Sequence, residues 1–313
     1  QDTIQGITLA GAFFDEVALM PQSFVNQATG RCSVTGSKWW FNCNPGSPQH
    51  WFYKEWLCKA RSRRLVYLHF TMADNLTLDP RIKERYQRQF SGVFYQRYIL
   101  GKWVAAEGTI YRLLADSLSA GDGRFFWPAD KPLHLWRVRI GVDFGGNGSK
   151  HAFVATAILP GYSGVVGLAS QRIDPVAQDA DFLADKLIEF CLAVFARWGE
   201  IQYIFCDSAE QTLINHIRAR LRRCKLSWLA DRVENSAKIR INDRIRLTCI
   251  LMGGGRFWLL PEAATLRDAL ATALWSQKHP GVDERLDDGS TDIDTLDAYE
   301  YTIERDFKRL TNT

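Results

Sequence analysis

The sequence has no CxxC pair among its seven cysteines (Cys32, Cys43, Cys58, Cys191, Cys206, Cys224 and Cys249). An odd count without metal-type spacing argues against a zinc site or a disulfide framework, and a reducing compartment is the simpler setting. No apolar run approaches the ~20 residues that a membrane helix needs. No leader-peptide pattern opens the chain, and no internal repeat is evident. A strong charge bias is also missing. There are 39 Lys and Arg against 35 Asp and Glu, so bulk attraction to a polyanion is weak. What is present is ordinary for a globular protein: 313 residues, 46% of them hydrophobic, enough for two domains and too many for a disordered or collagen-like chain. The first residue is Gln1, and Gln1–Gly6 reads as mid-protein, so the chain is expected to be a piece of a longer one.

Charge is uneven along the chain. Lys54, Lys59, Arg61, Arg63 and Arg64 cluster around the lone acid Glu55. Between Arg218 and Arg246 ten basic residues stand against Asp231, Glu234 and Asp243. Such clusters suit a phosphate backbone, and they equally suit a solvated helix face.

Strands and helices alternate. Ile7–Phe14 reads as a buried strand with Asp15 and Glu16 at its tip. Lys38–Cys43 (KWWFNC) is a second strand, closed by the turn signal Asn44-Pro45-Gly46. A helix over Gln49–Ala60, a strand over Arg64–Phe70 and a charged helix over Pro80–Phe90 follow. Periodicity fails between Ala105 and His134, which marks a linker between residues 1–104 and 135–313. Beyond it, Leu135–Val142, Ala152–Ile158 and Val165–Ala169 read as an antiparallel meander. Then come a helix over Asp179–Trp198, a strand over Ile201–Cys206, helices over Ala209–Leu221 and Ile239–Met252, a strand over Arg256–Leu260 and a helix over Glu262–Trp275. A last helix, Asp294–Leu310, carries an apolar stripe of Leu296, Tyr299, Ile303, Phe307 and Leu310. The class is α/β.

Asp143 and Asp207 each stand where a buried strand stops. If those strands are parallel neighbours, both carboxylates emerge at one sheet edge. Asp294 and Asp297 are spaced i, i+3 on the last helix. Asp297 lies about 100° around from Leu296, beside the apolar stripe, so it is placed to face that edge. Carboxylates converging on one point repel unless cations sit between them, and hard oxygen donors suit Mg²⁺ or Mn²⁺. Two ions ~3.5–4 Å apart would clamp the attacking and leaving oxygens of a phosphodiester. A meander, a helix, a parallel strand and a C-terminal helix bearing an acid describe an RNase H-like nuclease. The plainer alternative is that strand-end aspartates only form turns. Two lookalikes fail. Asp143-Phe144-Gly145 lacks the loops that accompany the kinase tripeptide. Gly145–Lys150 (GGNGSK) lacks the ending of a P-loop, and its glycines read as a tight turn that leaves access to Asp143.

Four segments, LAGAFFDEVALMP (Leu9–Pro21), FNCNPGSPQHWFYKEW (Phe41–Trp56), YLHFTMADN (Tyr67–Asn75) and SGVFYQRYILGKWV (Ser91–Val104), resemble the large terminase subunit of tailed bacteriophages. IGVDFG (Ile140–Gly145), CDSAEQ (Cys206–Gln211) and DTLDAYEYTIERDF (Asp294–Phe307) resemble the nuclease domain of the same family. The resemblance implies a partial P-loop-type ATPase sheet over 1–104 followed by an RNase H-like nuclease domain. It also implies a packaging motor that translocates double-stranded DNA into a procapsid and cuts the concatemer. By position, Phe13–Glu16 resembles a Walker B motif, in which Asp15 holds the Mg²⁺ of ATP through water and Glu16 polarises the attacking water. Asn44-Pro45-Gly46 resembles the motif that couples hydrolysis to DNA movement. Asp143, Asp207 and Asp297 match metal-binding acids, with two Mg²⁺ or Mn²⁺ ions implied. Asp294 stands where the family has His, so its own part in metal binding is open.

Nothing before Leu9 matches GxxxxGK[ST], so this chain alone is expected not to hydrolyse ATP. The family implies the small terminase subunit and the portal protein as partners, and the host bacterial cytoplasm as the location, with a transient stay at the procapsid portal. Two rivals stand beside this reading. A resolvase- or transposase-like enzyme fits the acids but not Leu9–Trp56. A non-catalytic DNA-binding or capsid-docking module would make the acids structural.

Overall fold

The computed structural model describes residues 4, 6–90, 92–145, 149–173, 180–279 and 282–312. The chain divides into two compact units, Gln1–Glu107 with Ser276–Glu284, and Gly108–Trp275 with Arg285–Thr313.

In the first unit, strands β1 (Gly11–Phe14) and β2 (Lys38–Phe41) run parallel, with Phe14 opposite Phe41. Helix α1 (Gln22–Arg31) makes the crossover that a parallel pair requires. Phe14, Val17, Val25, Ala28, Phe52 and Trp56 form the core, with the Phe14 and Phe41 rings stacked at 5.0 Å. Side chains alternate across a strand. Phe13 and Trp40, paired in register on the other face, are therefore left 64% and 55% exposed. Within residues 49–60 the chain does wind helically, with a π-type turn at Tyr53–Leu57. Helix α2 spans Pro80–Gln89, capped by the Asp79 carboxylate. Residues 65–70 are a departure from expectation. They form no ladder, and Val66, Leu68 and Phe70 are exposed. Apolar content reads as a strand, but a strand needs a partner for its backbone groups, and among the described residues β1–β2 is the whole sheet of this unit. Segment Ser276–Glu284 joins this unit through Asp283, which pairs with Arg97, and through Gln277, which donates to the Ala106 carbonyl at 3.0 Å.

In the second unit, the stretch that reads as a linker holds helix α3 (Arg112–Ala120), with Leu114 fully buried. Next come β3 (Arg137–Asp143), β4 (His151–Ile158), β5 (Val165–Ile173), α4 (Ala180–Trp198), β6 (Ile201–Cys206), α5 (Gln211–Arg223) and β7 (Val233–Asn235). The rest is α6 (Ile241–Gly253), β8 (Phe257–Leu259), α7 (Ala264–Thr272), α8 (Ile293–Ile303) and α9 (Phe307–Thr311). The sheet order is β7-β6-β3-β4-β5-β8. β3, β4 and β5 are the antiparallel meander, and β6 runs parallel to β3. This is the RNase H-like arrangement.

Both sheet faces are covered, which is why β3 and β4 are buried almost throughout. Val138, Ile140 and Val142 join Leu187, Cys191, Ile214 and Ile217 of α4 and α5 in one core. The alternate residues Arg139, Gly141 and Asp143 face the other way, towards α8. A Cβ on Gly141 would lie 1.7 Å from the Ala298 carbonyl oxygen. Only glycine admits the helix this close. The expected single helix Asp294–Leu310 is broken by a turn at Glu304–Asp306. Both of those acids are buried and committed elsewhere: Glu304 to backbone amides of residues 237–239, and Asp306 to Arg139 at 2.7 Å.

Candidate active site

Val142 pairs with Cys206 in the β3–β6 ladder, and the Asp207 amide donates to the Val142 carbonyl at 3.0 Å. Asp143 and Asp207 are thus side by side at the carboxyl ends of adjacent parallel strands, where the chains lie ~4.8 Å apart. Helix α8, seated on Gly141, brings Asp294 and Asp297 over the same edge. The electrostatics record the gathering. Burial, and then the charges of Asp297, Asp207 and Asp294, push Asp143 up to about 8. Burial also raises Asp294, against the Lys150 amide and Arg172.

Each acid has a different set of partners. Asp143 accepts a hydrogen bond from the Tyr301 hydroxyl at 3.1 Å. Burial and the neighbouring carboxylates hold that hydroxyl protonated, so it stays a donor. Asp207 accepts from the Ala209 amide at 2.8 Å and pairs with the Lys238 ammonium. Asp297 is gripped by two guanidiniums, Arg244 at 3.2 Å and Arg285. The same arginines hold the fully buried Glu300, one turn further along α8, at 3.1 and 2.8 Å. Asp294 accepts from the Lys150 amide at 2.8 Å and lies 3.5 Å from Arg172.

These oxygen donors fit a hard divalent cation by chemistry. Asp143 in particular is buried against like charge, and among the described residues the Tyr301 hydroxyl is its hydrogen-bond donor. Among the described residues no three His, Cys, Asp or Glu side chains stand close enough to hold an ion as placed. Protein cations occupy the Asp207 and Asp297 oxygens instead. Tyr301, Lys238, Arg244 and Arg285 were not singled out as site residues from sequence. Tyr301 had a signal, since it lies one turn beyond Asp297 on the same helix. Lys238 and Arg285 had none, because their approach depends on loops. Of the GGNGSK stretch, Gly146, Asn147 and Gly148 lie outside the described residues. A Cβ on Gly145 would lie 2.3 Å from the Lys150 backbone carbon.

The basic stretch Arg218–Arg246 is not a bare cationic face. Arg220 pairs with Asp185, Arg222 with Asp231, Arg232 with Glu200 and Arg246 with Asp243, while Arg244 is buried. In the other cluster, Lys59 pairs with Glu55 at 2.7 Å, and Arg63 lies over the Trp56 ring.

In the first unit, Asp15 and Glu16 follow β1, and Glu16 adopts a left-handed backbone, φ 51°. The Asn44 amide side chain donates to Glu16 Oε1 at 3.1 Å. The Glu16 amide donates to Asn42 Oδ1 at 3.3 Å. The strand-end acids and the Asn44 turn therefore meet at the tips of two paired strands.

An RNase H-like sheet with acids at its central strand ends gives the second unit a nuclease-type fold, and in the same chain a separate α/β unit carries a parallel strand pair ending in Asp-Glu. Comparison gives the family. Residues 1–115 match the family model described as terminase large subunit, T4likevirus-type, N-terminal. The large terminase of a thermophilic bacteriophage is 33% identical over 96% of this chain and 70% of its own, with a TM-score of 0.77. The same protein in complex with ADP superposes with a TM-score of 0.78 at 34% identity, over 97% of this chain and 71% of its own. No curated protein matched by sequence. The chain belongs to the large terminase subunits of tailed bacteriophages.

Proposed function

We propose that the second unit is an endonuclease that hydrolyses phosphodiesters of double-stranded concatemeric DNA, with two Mg²⁺ or Mn²⁺ ions held by Asp143, Asp207 and Asp297. The observation that carries this is the convergence of Asp143 and Asp207 on adjacent strand ends beneath α8, which leaves a buried carboxylate surrounded by like charge. When bound, the ions would polarise the phosphate and lower the pKa of water. The protein's own part is positional. Tyr301 orients Asp143 through its hydroxyl. Arg244 and Arg285 fix Asp297 through one oxygen, Oδ1, and leave Oδ2 free of these contacts. Asp294, whose Oδ2 takes both the Lys150 amide and Arg172, stands where the family has His, and its part in metal binding is left open.

In a longer chain that also supplies a P-loop, Asp15 of the first unit would hold the Mg²⁺ of ATP through water, and Glu16, oriented by Asn44, would polarise the attacking water; this chain alone, without GxxxxGK[ST], is expected not to hydrolyse ATP. The large terminase from the thermophilic phage was solved in complex with ADP and with ATP-γ-S, which supports nucleotide use in the whole protein. The setting proposed is genome packaging in the host bacterial cytoplasm, with DNA, the small terminase subunit and the portal protein as partners.

Mn²⁺-dependent nicking of supercoiled plasmid tests the nuclease. Asp143→Ala and Asp207→Ala are expected to abolish it, and unchanged nicking in both overturns the reading. A second reading, in which the acids serve only the fold, is favoured by the cations already on Asp207 and Asp297. It predicts no metal-dependent cleavage at all.

A further inference from the structure

We propose that Lys238 is a tethered cation of the carboxylate cluster: its ammonium competes with a divalent ion for Asp207 and, once displaced, pairs with a DNA phosphate oxygen. The proposal rests on the nuclease reading above.

Lys238 is not a casual surface contact. It sits in the loop between β7 and α6, and that loop is fastened on two sides. The Ser236 amide donates to the Cys206 carbonyl at 2.8 Å, and Ser236 Oγ accepts from the Ser208 amide at 3.3 Å, so the loop brackets Asp207. From the other side the buried carboxylate of Glu304 accepts from three consecutive amides, Ala237 at 2.7 Å, Lys238 at 3.0 Å and Ile239 at 3.1 Å. This grip holds Lys238 in a left-handed backbone, φ 48°. Glycine adopts that conformation freely, whereas a residue with a Cβ is strained there. The strained position nevertheless carries a long cationic side chain that reaches Asp207.

The chemistry separates this cation from its neighbours. Arg244 and Arg285 are buried, their side chains 5% and 3% exposed, and each also holds Glu300. They have nowhere to go. The Lys238 side chain is 39% exposed and its four-carbon stem is flexible, so it can leave one oxygen and reach another while its backbone stays fixed. An ammonium and a divalent cation repel strongly at contact with one carboxylate oxygen. Were Asp207 to hold a divalent ion, the Lys238 ammonium would leave that carboxylate and be available to a DNA phosphate oxygen, for which a compact ammonium is a good partner.

The test uses the full chain. Mn²⁺ binding is followed by the electron paramagnetic resonance signal of the free ion, for wild type, Lys238→Met, Lys238→Arg and Asp143→Asn. Lys238→Met is expected to bind Mn²⁺ about tenfold more tightly, and Lys238→Arg about as wild type. With Ca²⁺ replacing Mn²⁺, Lys238→Met should bind duplex DNA more weakly, with a salt dependence shallower by about one ion. Lys238→Gly should melt no lower than wild type, since it relieves the backbone. Equal Mn²⁺ affinity in wild type and Lys238→Met, at a site that Asp143→Asn weakens, overturns the proposal and leaves the nuclease reading standing. No Mn²⁺ site sensitive to Asp143→Asn removes the nuclease reading itself, and this proposal with it.

Discussion

The acids of the two units are held by opposite means. In the second unit, backbone packing does the work: α8 lies against β3 at a residue without a Cβ, and the carboxylates are carried to one another by a six-stranded sheet and a buried helix. In the first unit, Asp15 and Glu16 stand at the end of a two-stranded sheet, and side-chain amides of Asn42 and Asn44 steady Glu16. The deep site carries charge repulsion that only a rigid frame can hold. The shallow one lies in or near solvent and needs little more than local hydrogen bonds.

The hardest blow to this contrast falls on Gly141. Gly141→Ala places a methyl group on top of the Ala298 carbonyl. Helix and strand must separate, at a cost of about 3 kcal/mol or more. Urea unfolding of the second unit should show the loss, with metal binding at Asp143 weakened in whatever remains folded. A variant that unfolds at the wild-type midpoint would mean that this contact does not set the carboxylates in place.

An effect of opposite sign, confined to the upper pH range, is expected at Asp143. The native carboxyl keeps its proton to about pH 8, whereas the unfolded chain releases it near 4. Between those values the native state binds more protons, so stability falls as pH rises, by up to about 1.4 kcal/mol per pH unit for this one group. Asp143→Asn removes the repulsion. In chelator at pH 8 it should be more stable than wild type, with a flatter pH profile, while losing cleavage. Parallel profiles for the two proteins would show that burial and the other acids do not raise Asp143.

The same contrast explains what could be read from the residues. The strand ends were legible because a short apolar run and a terminal aspartate are local features: Ile201–Cys206 has the bounds expected, and Asp143 closes β3. The meander and its order followed from short connections. Three things were not legible. Residues 65–70 have strand composition, and only the absence of a pairing partner among the described residues decides against it. The break at Glu304 comes from amides of residues 237–239, which lie far off in sequence. The cations on Asp207 and Asp297 arrive from loops and from α6, so composition counted Lys238 and Arg244 as part of a basic face when both are turned to acids.

The least effect is expected at Asn44, and its size is the point. Its side chain donates to Glu16 Oε1 at 3.1 Å in an exposed setting. A net hydrogen bond there contributes at most about 0.5–1 kcal/mol. Glu16 also keeps its own amide on Asn42 Oδ1, and the next amide, Val17, stays on the Asn42 carbonyl at 2.9 Å. Asn44→Ala should therefore leave the left-handed turn in place, shift unfolding of the first unit slightly, and leave Mn²⁺ binding at the Asp143 site unchanged. A loss as large as that of Gly141→Ala would mean that the turn, and not the strand pair, holds the first unit together. A change in Mn²⁺ affinity would mean that the two acid clusters are not independent, and the division drawn between a deep frame and a shallow one would have to give way to a single coupled system.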